Sequence, residues 1–119
     1  MTPRPPLKLR LDGEALVSNW KWLAAQSGAA ECGAAVKADA YGVGAREVVQ
    51  RLSAAGCRQY FVAHWAEAAT IADLVPPEQI AVLNGLDADD PAEVLDIGAR
   101  PVLNTPQQIA RWREAGSGR

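Results

Sequence analysis

Gly33-Ala34-Ala35-Val36-Lys37-Ala38-Asp39-Ala40-Tyr41-Gly42-Val43-Gly44 is the stretch on which the reading of this chain turns. From Gly33 to Tyr41 it reads as a buried strand that carries a lysine near its carboxyl end and opens into a loop punctuated by Gly42 and Gly44. Alanine is a poor strand former, so propensity supports this only weakly and the flanking patterns must carry it. On the amino-terminal side Asp12 is placed to cap a helix in which Leu16, Trp20 and Leu23 recur at helical spacing, with Gly28 as its stop. Before that helix, Leu7-Lys8-Leu9-Arg10-Leu11 alternates as a half-exposed strand does. On the carboxyl-terminal side Val48, Leu52 and Ala55 mark the inner face of a second helix, closed by Gly56.

The alternation continues to the end of the chain. Tyr60-Phe61-Val62-Ala63 reads as strand, Ala66 to Leu74 as helix ending at Pro76-Pro77, and Ile80-Ala81-Val82-Leu83 as strand. A short helix follows, with Pro91 in its first turn behind Asp89 or Asp90 and Gly98 at its end. The last unit pairs the strand Arg100-Pro101-Val102-Leu103 with a helix capped by Thr105, where Pro106 sits in the first turn and Gln108 completes a capping box. Strands separated by single helices predict right-handed crossovers and a parallel sheet, hence an α/β fold. Periodicity alone fits an open doubly wound sheet and a closed barrel equally. The lack of GxGxxG after the first strand, and of GxxxxGK[ST], removes the usual support for the dinucleotide and P-loop versions of the open sheet.

Composition narrows the function classes. The chain has 119 residues, a formal net charge of −2 and 49% hydrophobic residues, in keeping with one globular domain. Charges of both signs are dispersed, with no basic block and no finger spacing, which argues against a nucleic-acid partner. No run of about twenty apolar residues suggests a membrane span, and the opening Met-Thr-Pro-Arg-Pro-Pro does not resemble a secretory signal, so a cytoplasmic protein is expected. Cys32 and Cys57 are too far apart for a CxxC pair, and the lone His64 cannot complete a zinc set with them; two reduced thiols in apolar surroundings are expected and no metal site. No low-complexity linker precedes the short tail Gly116-Ser117-Gly118-Arg119. The length is about half of the roughly 250 residues of a complete eightfold β/α barrel.

Lys37 is the residue most suggestive of chemistry. It lies at the carboxyl end of a strand, where α/β folds gather their active groups. An amine held among Ala and Val is poorly hydrated when charged, which favours the neutral form that attacks an aldehyde or takes a proton. From position alone, the alternative is a lysine that reaches round to solvent or pairs with Asp39. Gly42 and Gly44 before a helix could expose amides to an anion, but shaping a turn is the simpler role. Asp39 reads as structural, holding the loop, and Asn84 and Asn104 end strands on the expected reactive side, as turn residues or minor candidates.

Val36-Lys37-Ala38-Asp39-Ala40-Tyr41-Gly42 resembles the pyridoxal-phosphate lysine signature of the alanine racemases. The resemblance runs in order through Leu9-Arg10-Leu11-Asp12, Ser18-Asn19-Trp20, Phe61-Val62-Ala63, Ala66-Glu67-Ala68, Val82-Leu83-Asn84-Gly85 and Pro101-Val102-Leu103-Asn104, covering about residues 7 to 115. It implies a fold-type III architecture: an incomplete TIM-type (β/α) barrel made of the N-terminal four to five β/α units, with the rest of the barrel and a C-terminal β-domain outside residues 1–119. It implies that Lys37 bonds covalently to pyridoxal 5'-phosphate and serves as one of two bases, and that Tyr41 reaches the cofactor phosphate. The activity implied is the interconversion of L-alanine and D-alanine, supplying D-alanine for the cell wall, by a homodimer.

His64 stands where the family has a small hydroxyl residue, and reads as a partly exposed loop histidine. The second base and most phosphate ligands of the family lie beyond this stretch, so a truncated chain with at most residual cofactor binding is expected. A single-domain pyridoxal-phosphate homeostasis barrel is the nearest alternative; the Asp-Ala-Tyr-Gly after Lys37 favours the racemase. A third reading is a non-catalytic half-barrel that self-associates through exposed strand edges.

Overall fold

The computed structural model describes residues 1–116, and the last three residues of the Gly/Ser tail lie outside the described residues. Four short strands, β1 (Ala34–Ala35), β2 (Tyr60–Val62), β3 (Ile80–Val82) and β4 (Arg100–Pro101), form one sheet in the order β1-β2-β3-β4. All three pairings are parallel, with Ala34 opposite Tyr60, Tyr60 opposite Ile80 and Ala81 opposite Arg100. A parallel sheet whose spatial order follows the chain has no reversal point; it is the wall of a barrel and not a doubly wound sheet. The α/β class and the partial barrel expected from the sequence are both present.

Parallel neighbours need crossovers, and helices supply them. α1 (Gly13–Gln26) precedes β1, and Asp12 caps it, its Oδ1 accepting from Ala15 N at 3.0 Å. α2 (Lys37–Tyr41) is a single turn directly after β1, and α3 (Ala45–Ala55) carries the chain back to β2. α4 (Trp65–Ile71) and a 3-10 turn at Pro77–Gln79 lead to β3; a second 3-10 segment, Ala92–Ile97, leads to β4, and α5 (Pro106–Ala115) follows. The inward faces of α3 and α4, with Val49, Leu52, Ala68 and Ile71, cover Tyr60, Val62 and Ile80 of the sheet. Each such aliphatic side chain removed from water contributes roughly 1.5–3 kcal/mol before entropy is counted. Buried polar tips are bonded: Tyr60 donates its hydroxyl proton to the Cys57 carbonyl at 2.9 Å, and Trp65 Nε1 donates to the Gly85 carbonyl at 2.9 Å. Cys32 and Cys57 are free thiols, and burial pushes the Cys57 thiol up.

Several sequence expectations are revised. Leu7 to Leu11 form no strand, and Leu7 and Leu9 are exposed, because this backbone finds no partner strand among the described residues. The strand expected from Gly33 to Tyr41 shrinks to two residues, because the alanine-rich run winds into α2 at Lys37. On α1, Leu16 and Trp20 face the core but Leu23 points to solvent. The helix expected before Gly98 is wound as 3-10, and ends as foreseen at Gly98 with φ of 88°.

The capping box at α5 differs in one respect. Thr105 Oγ1 accepts from Gln108 N at 3.1 Å, but the Gln108 side chain reaches one residue further back than the box requires, its Oε1 accepting from Asn104 N at 2.8 Å. Its Nε2 donates across to the preceding unit, to the Asn84 carbonyl at 2.8 Å and Asp87 Oδ1 at 3.0 Å. Gln108 is buried, so these bonds tie α5 to the loop after β3. Gly85 in that loop has φ of 78°, and a Cβ there would meet Gln108 Oε1 and the Val102 carbonyl. Gln108→Glu replaces the donor with a second acceptor facing the Asn84 carbonyl and the Asp87 carboxylate. It is expected to cost about 2–4 kcal/mol in urea unfolding at pH 7, with part of the loss recovered at pH 4 as the carboxyls protonate.

Candidate active site

The segment after β1 is wound left-handed. Ala38, Asp39, Ala40 and Tyr41 have φ of 52°, 54°, 54° and 57°, and Ala40 N and Gly42 N donate to the Val36 and Ala38 carbonyls at 3.0 Å each. For L-residues this hand costs roughly 1–2 kcal/mol per residue, so the turn must be held by its surroundings. Four residues make slightly more than one turn, which places residues four apart on one side. Burial agrees: Val36 and Ala40 face the core, whereas Lys37 is half-buried and Tyr41 is 66% exposed. Lys37 and Tyr41 therefore leave the carboxyl end of β1 on the same side of α2. Neither the Lys37 amine nor the Tyr41 hydroxyl has a hydrogen-bond or ion-pair partner among the described residues.

Other groups anchor the turn. Asp39 does not pair with Lys37; its Oδ1 accepts from Ala45 N at 2.8 Å and caps α3, the structural role read from the sequence. Gly42 and Gly44, with φ of 89° and 112°, carry the chain from α2 into α3 as turn residues. At the front of the turn stands Glu67 of α4, which sequence reasoning did not single out. Its Oε2 accepts from Ala38 N and its Oε1 from Ala63 N, each at 2.6 Å. Partial burial pushes the Glu67 carboxyl up, but the two backbone N–H bonds outweigh it, and the net shift is below the usual 4.5. The available signal was its place as third residue of a helix starting straight after a strand, the position from which Gln108 also reaches back.

His64 is exposed and caps α4, its Nδ1 accepting from Glu67 N at 3.4 Å, as a loop histidine at a helix start. Asn84 and Asn104 are bound into the loops, Asn84 through its carbonyl and Asn104 through Nδ2 donating to the Leu83 carbonyl at 2.9 Å. Behind α2 a cleft of about 430 Å³, lined by Val36, Asp39, Ala45, His64, Glu67 and Thr70 among others, runs between α3 and α4, and neither Lys37 nor Tyr41 lines it. Among the described residues no group of three His, Cys, Asp or Glu side chains could hold a metal ion, and no helix is long and apolar enough to cross a membrane.

A parallel sheet in chain order forms part of the wall of a (β/α) barrel, with Lys37 and Tyr41 at its carboxyl edge. The family model for the alanine racemase N-terminal domain matches residues 11–119, and the chain belongs to that family. The alanine racemase of Methylobacterium nodulans is 43% identical over 108 residues, covering 91% of this chain and 29% of that protein. That of Rhodospirillum rubrum is 45% identical over 109 residues, covering 90% and 29%. The crystal structure of alanine racemase from Bartonella henselae with covalently bound pyridoxal phosphate superposes with a TM-score of 0.81 at 38% identity, over 87% of this chain and 29% of that one. The chain thus spans about 29% of the length of these relatives.

Because the Glu67 carboxyl is held below its unfolded value, its contribution is fully present above about pH 4.5 and is lost as pH falls through the depressed folded value. In urea titrations wild type is expected to exceed Glu67→Gln in stability by about 1–3 kcal/mol at pH 7. The gap should narrow as pH falls from 7 to 3; a gap unchanged over that range would contradict the role of the charge.

Proposed function

We propose that this chain is the cofactor-lysine portion of an alanine racemase, in which Lys37 holds pyridoxal 5'-phosphate and the enzyme interconverts L-alanine and D-alanine. The observation that carries the reading is α2: its left-handed winding puts Lys37 and Tyr41 on one side of the carboxyl end of β1, and both polar groups are uncommitted. The donor set fits the cofactor. A free primary amine suits an aldehyde, and a phenolic hydroxyl four residues away suits a phosphate oxygen. When bound, pyridoxal phosphate supplies an electron-withdrawing ring that acidifies the alpha C–H bond of the amino acid.

The chain's own residues then have distinct tasks. Lys37 Nζ anchors the cofactor and, once displaced by the substrate amine, takes or returns the alpha proton on one face. Tyr41 Oη donates a hydrogen bond to phosphate and fixes the orientation of the ring relative to Lys37. Asp39 and the glycines hold the loop between them and α3. In this reading residues 1–119 are the N-terminal portion of the barrel; the remaining barrel and a β-domain supply the opposite base, within a cytoplasmic homodimer that provides D-alanine for the cell wall. The family membership supports this assignment, as does the crystal structure of the Bartonella henselae relative.

The test is direct. Pyridoxal phosphate is added to the 119-residue chain, the product is reduced with borohydride, and the modified peptide is mapped by mass spectrometry. Labelling is expected at Lys37 in preference to Lys8 and Lys21, and should vanish there in Lys37→Ala with an unchanged circular-dichroism spectrum. Even labelling of all three lysines would overturn the reading. Tyr41→Phe should weaken cofactor binding by about fivefold, or about 1 kcal/mol, the net worth of one hydrogen bond; an unchanged Kd would overturn the phosphate contact of Tyr41.

A further inference from the structure

We infer that Glu67 is the positioning residue of this site, holding the Ala38 amide so that the left-handed turn stays wound with Lys37 and Tyr41 on one side. The inference rests on the reading of Lys37 as the cofactor lysine and adds the group that aims it. Ala38 is the residue immediately after Lys37, so a carboxylate oxygen 2.6 Å from Ala38 N fixes the peptide unit through which the lysine leaves the strand. The other oxygen, 2.6 Å from Ala63 N, fixes the same carboxylate to the end of β2, the strand paired with β1. One side chain thereby sets the first residue of α2 against the neighbouring strand.

The backbone makes such a hold necessary. Four consecutive non-glycine residues with φ between 52° and 57° are individually uphill, and no glycine among them absorbs the cost. The second residue of the turn, Asp39, is tied to α3 through the Ala45 amide, and the third, Ala40, is buried. At the near end, among the described residues, Glu67 supplies the side-chain bond, and two donors to one carboxylate satisfy both of its oxygens. If that grip is lost, residue 38 can relax toward right-handed or extended backbone. A change of hand at one residue redirects the segment after it, so Lys37 and Tyr41 would no longer share a side. Glu67 has no hydrogen bond or ion pair with either side chain among the described residues and acts through the backbone.

The experiment compares wild type, Glu67→Ala, the milder Glu67→Gln, and Ile71→Val as a control that loosens the same helix from the core and leaves the Glu67 carboxylate in place. Each full chain is treated with pyridoxal phosphate and borohydride at a temperature where circular dichroism shows it folded. The share of label on Lys37 is then measured against Lys8 and Lys21. Wild type and Ile71→Val should retain the Lys37 preference. Glu67→Ala should lose about tenfold of it, and Glu67→Gln, which keeps one acceptor oxygen, should fall between. If folded Glu67→Ala keeps the wild-type preference, the positioning role is overturned while the cofactor reading stands.

A second readout separates the two claims. The amines are methylated with 13C-formaldehyde and a borohydride reductant, and the three lysine dimethylamine signals, set apart from that of the Met1 α-amine, are compared by NMR without any cofactor. In wild type the Lys37 signal should stand apart from those of Lys8 and Lys21, and in Glu67→Ala it should move toward them. If wild type shows no cofactor preference but this shift occurs, the cofactor reading fails and the positioning of Lys37 by Glu67 holds. If the Lys37 signal is the same in wild type and Glu67→Ala, the positioning role fails.

Discussion

The Glu67 carboxylate, bridging the amides of Ala38 and Ala63, is the contact on which the arrangement around Lys37 depends. A chain of L-residues does not wind left-handed unaided, and the four left-handed residues of α2 together cost roughly 4–8 kcal/mol by that count. Two short, charge-assisted bonds to a half-buried carboxylate return about 1–3 kcal/mol each, and the turn's own hydrogen bonds and the burial of Ala40 contribute the remainder. The balance is close, which is why the turn is held by two neighbouring elements: Glu67 of α4 grips its first residue and Asp39, its second, caps α3. Strain of this kind persists only where the surroundings over-determine the backbone, and here it sits beside the two side chains with chemistry to offer.

The same device recurs two sheet positions further on, with its polarity reversed. Gln108 is also the third residue of its helix and also accepts from the amide two residues before the helix starts, at Asn104. Its other arm faces the Asn84 carbonyl, and an amide NH2 is the group that can answer it; Glu67 faces the Ala38 N–H, and a second carboxylate oxygen answers that. Each side chain thus fastens its own helix to the loop of the preceding β/α unit, and the choice of acid or amide follows from what that loop presents. α3 is built differently, since Glu47 at the equivalent position pairs with Arg51 along the helix at 3.8 Å. The carboxyl edge of the sheet is therefore assembled loop by loop, by bonds running from one unit to the previous one.

Much of this was legible in the residues. The helix starts at Asp12 and Thr105, the stops at Gly56 and Gly98, and the alternation that makes the sheet parallel are local signals, and the structure carries each of them. Lys37 and Tyr41 were legible as candidates through the motif around them. What could not be read was the hand of α2. Ala-Asp-Ala-Tyr has no glycine to mark a positive φ, so the run looked like the tail of a strand, and only a tertiary contact from α4 reverses it. Glu67 escaped notice for the same reason: within its helix it is an ordinary first-turn acid, and its partners lie 29 and 4 residues away, across two strands.

The amino-acid sequence by itself determined the α/β class, the order of units and the residue types available for chemistry, because caps, breakers and hydrophobic period act over a few residues at a time. Tertiary structure alone decided that the first strand stops after two residues, that the Leu7 to Leu11 alternation stays unpaired, and that Lys37 and Tyr41 emerge together. Strand length depends on finding a partner, and a left-handed turn of non-glycine residues exists only where another element holds it; neither condition is written in the segment concerned.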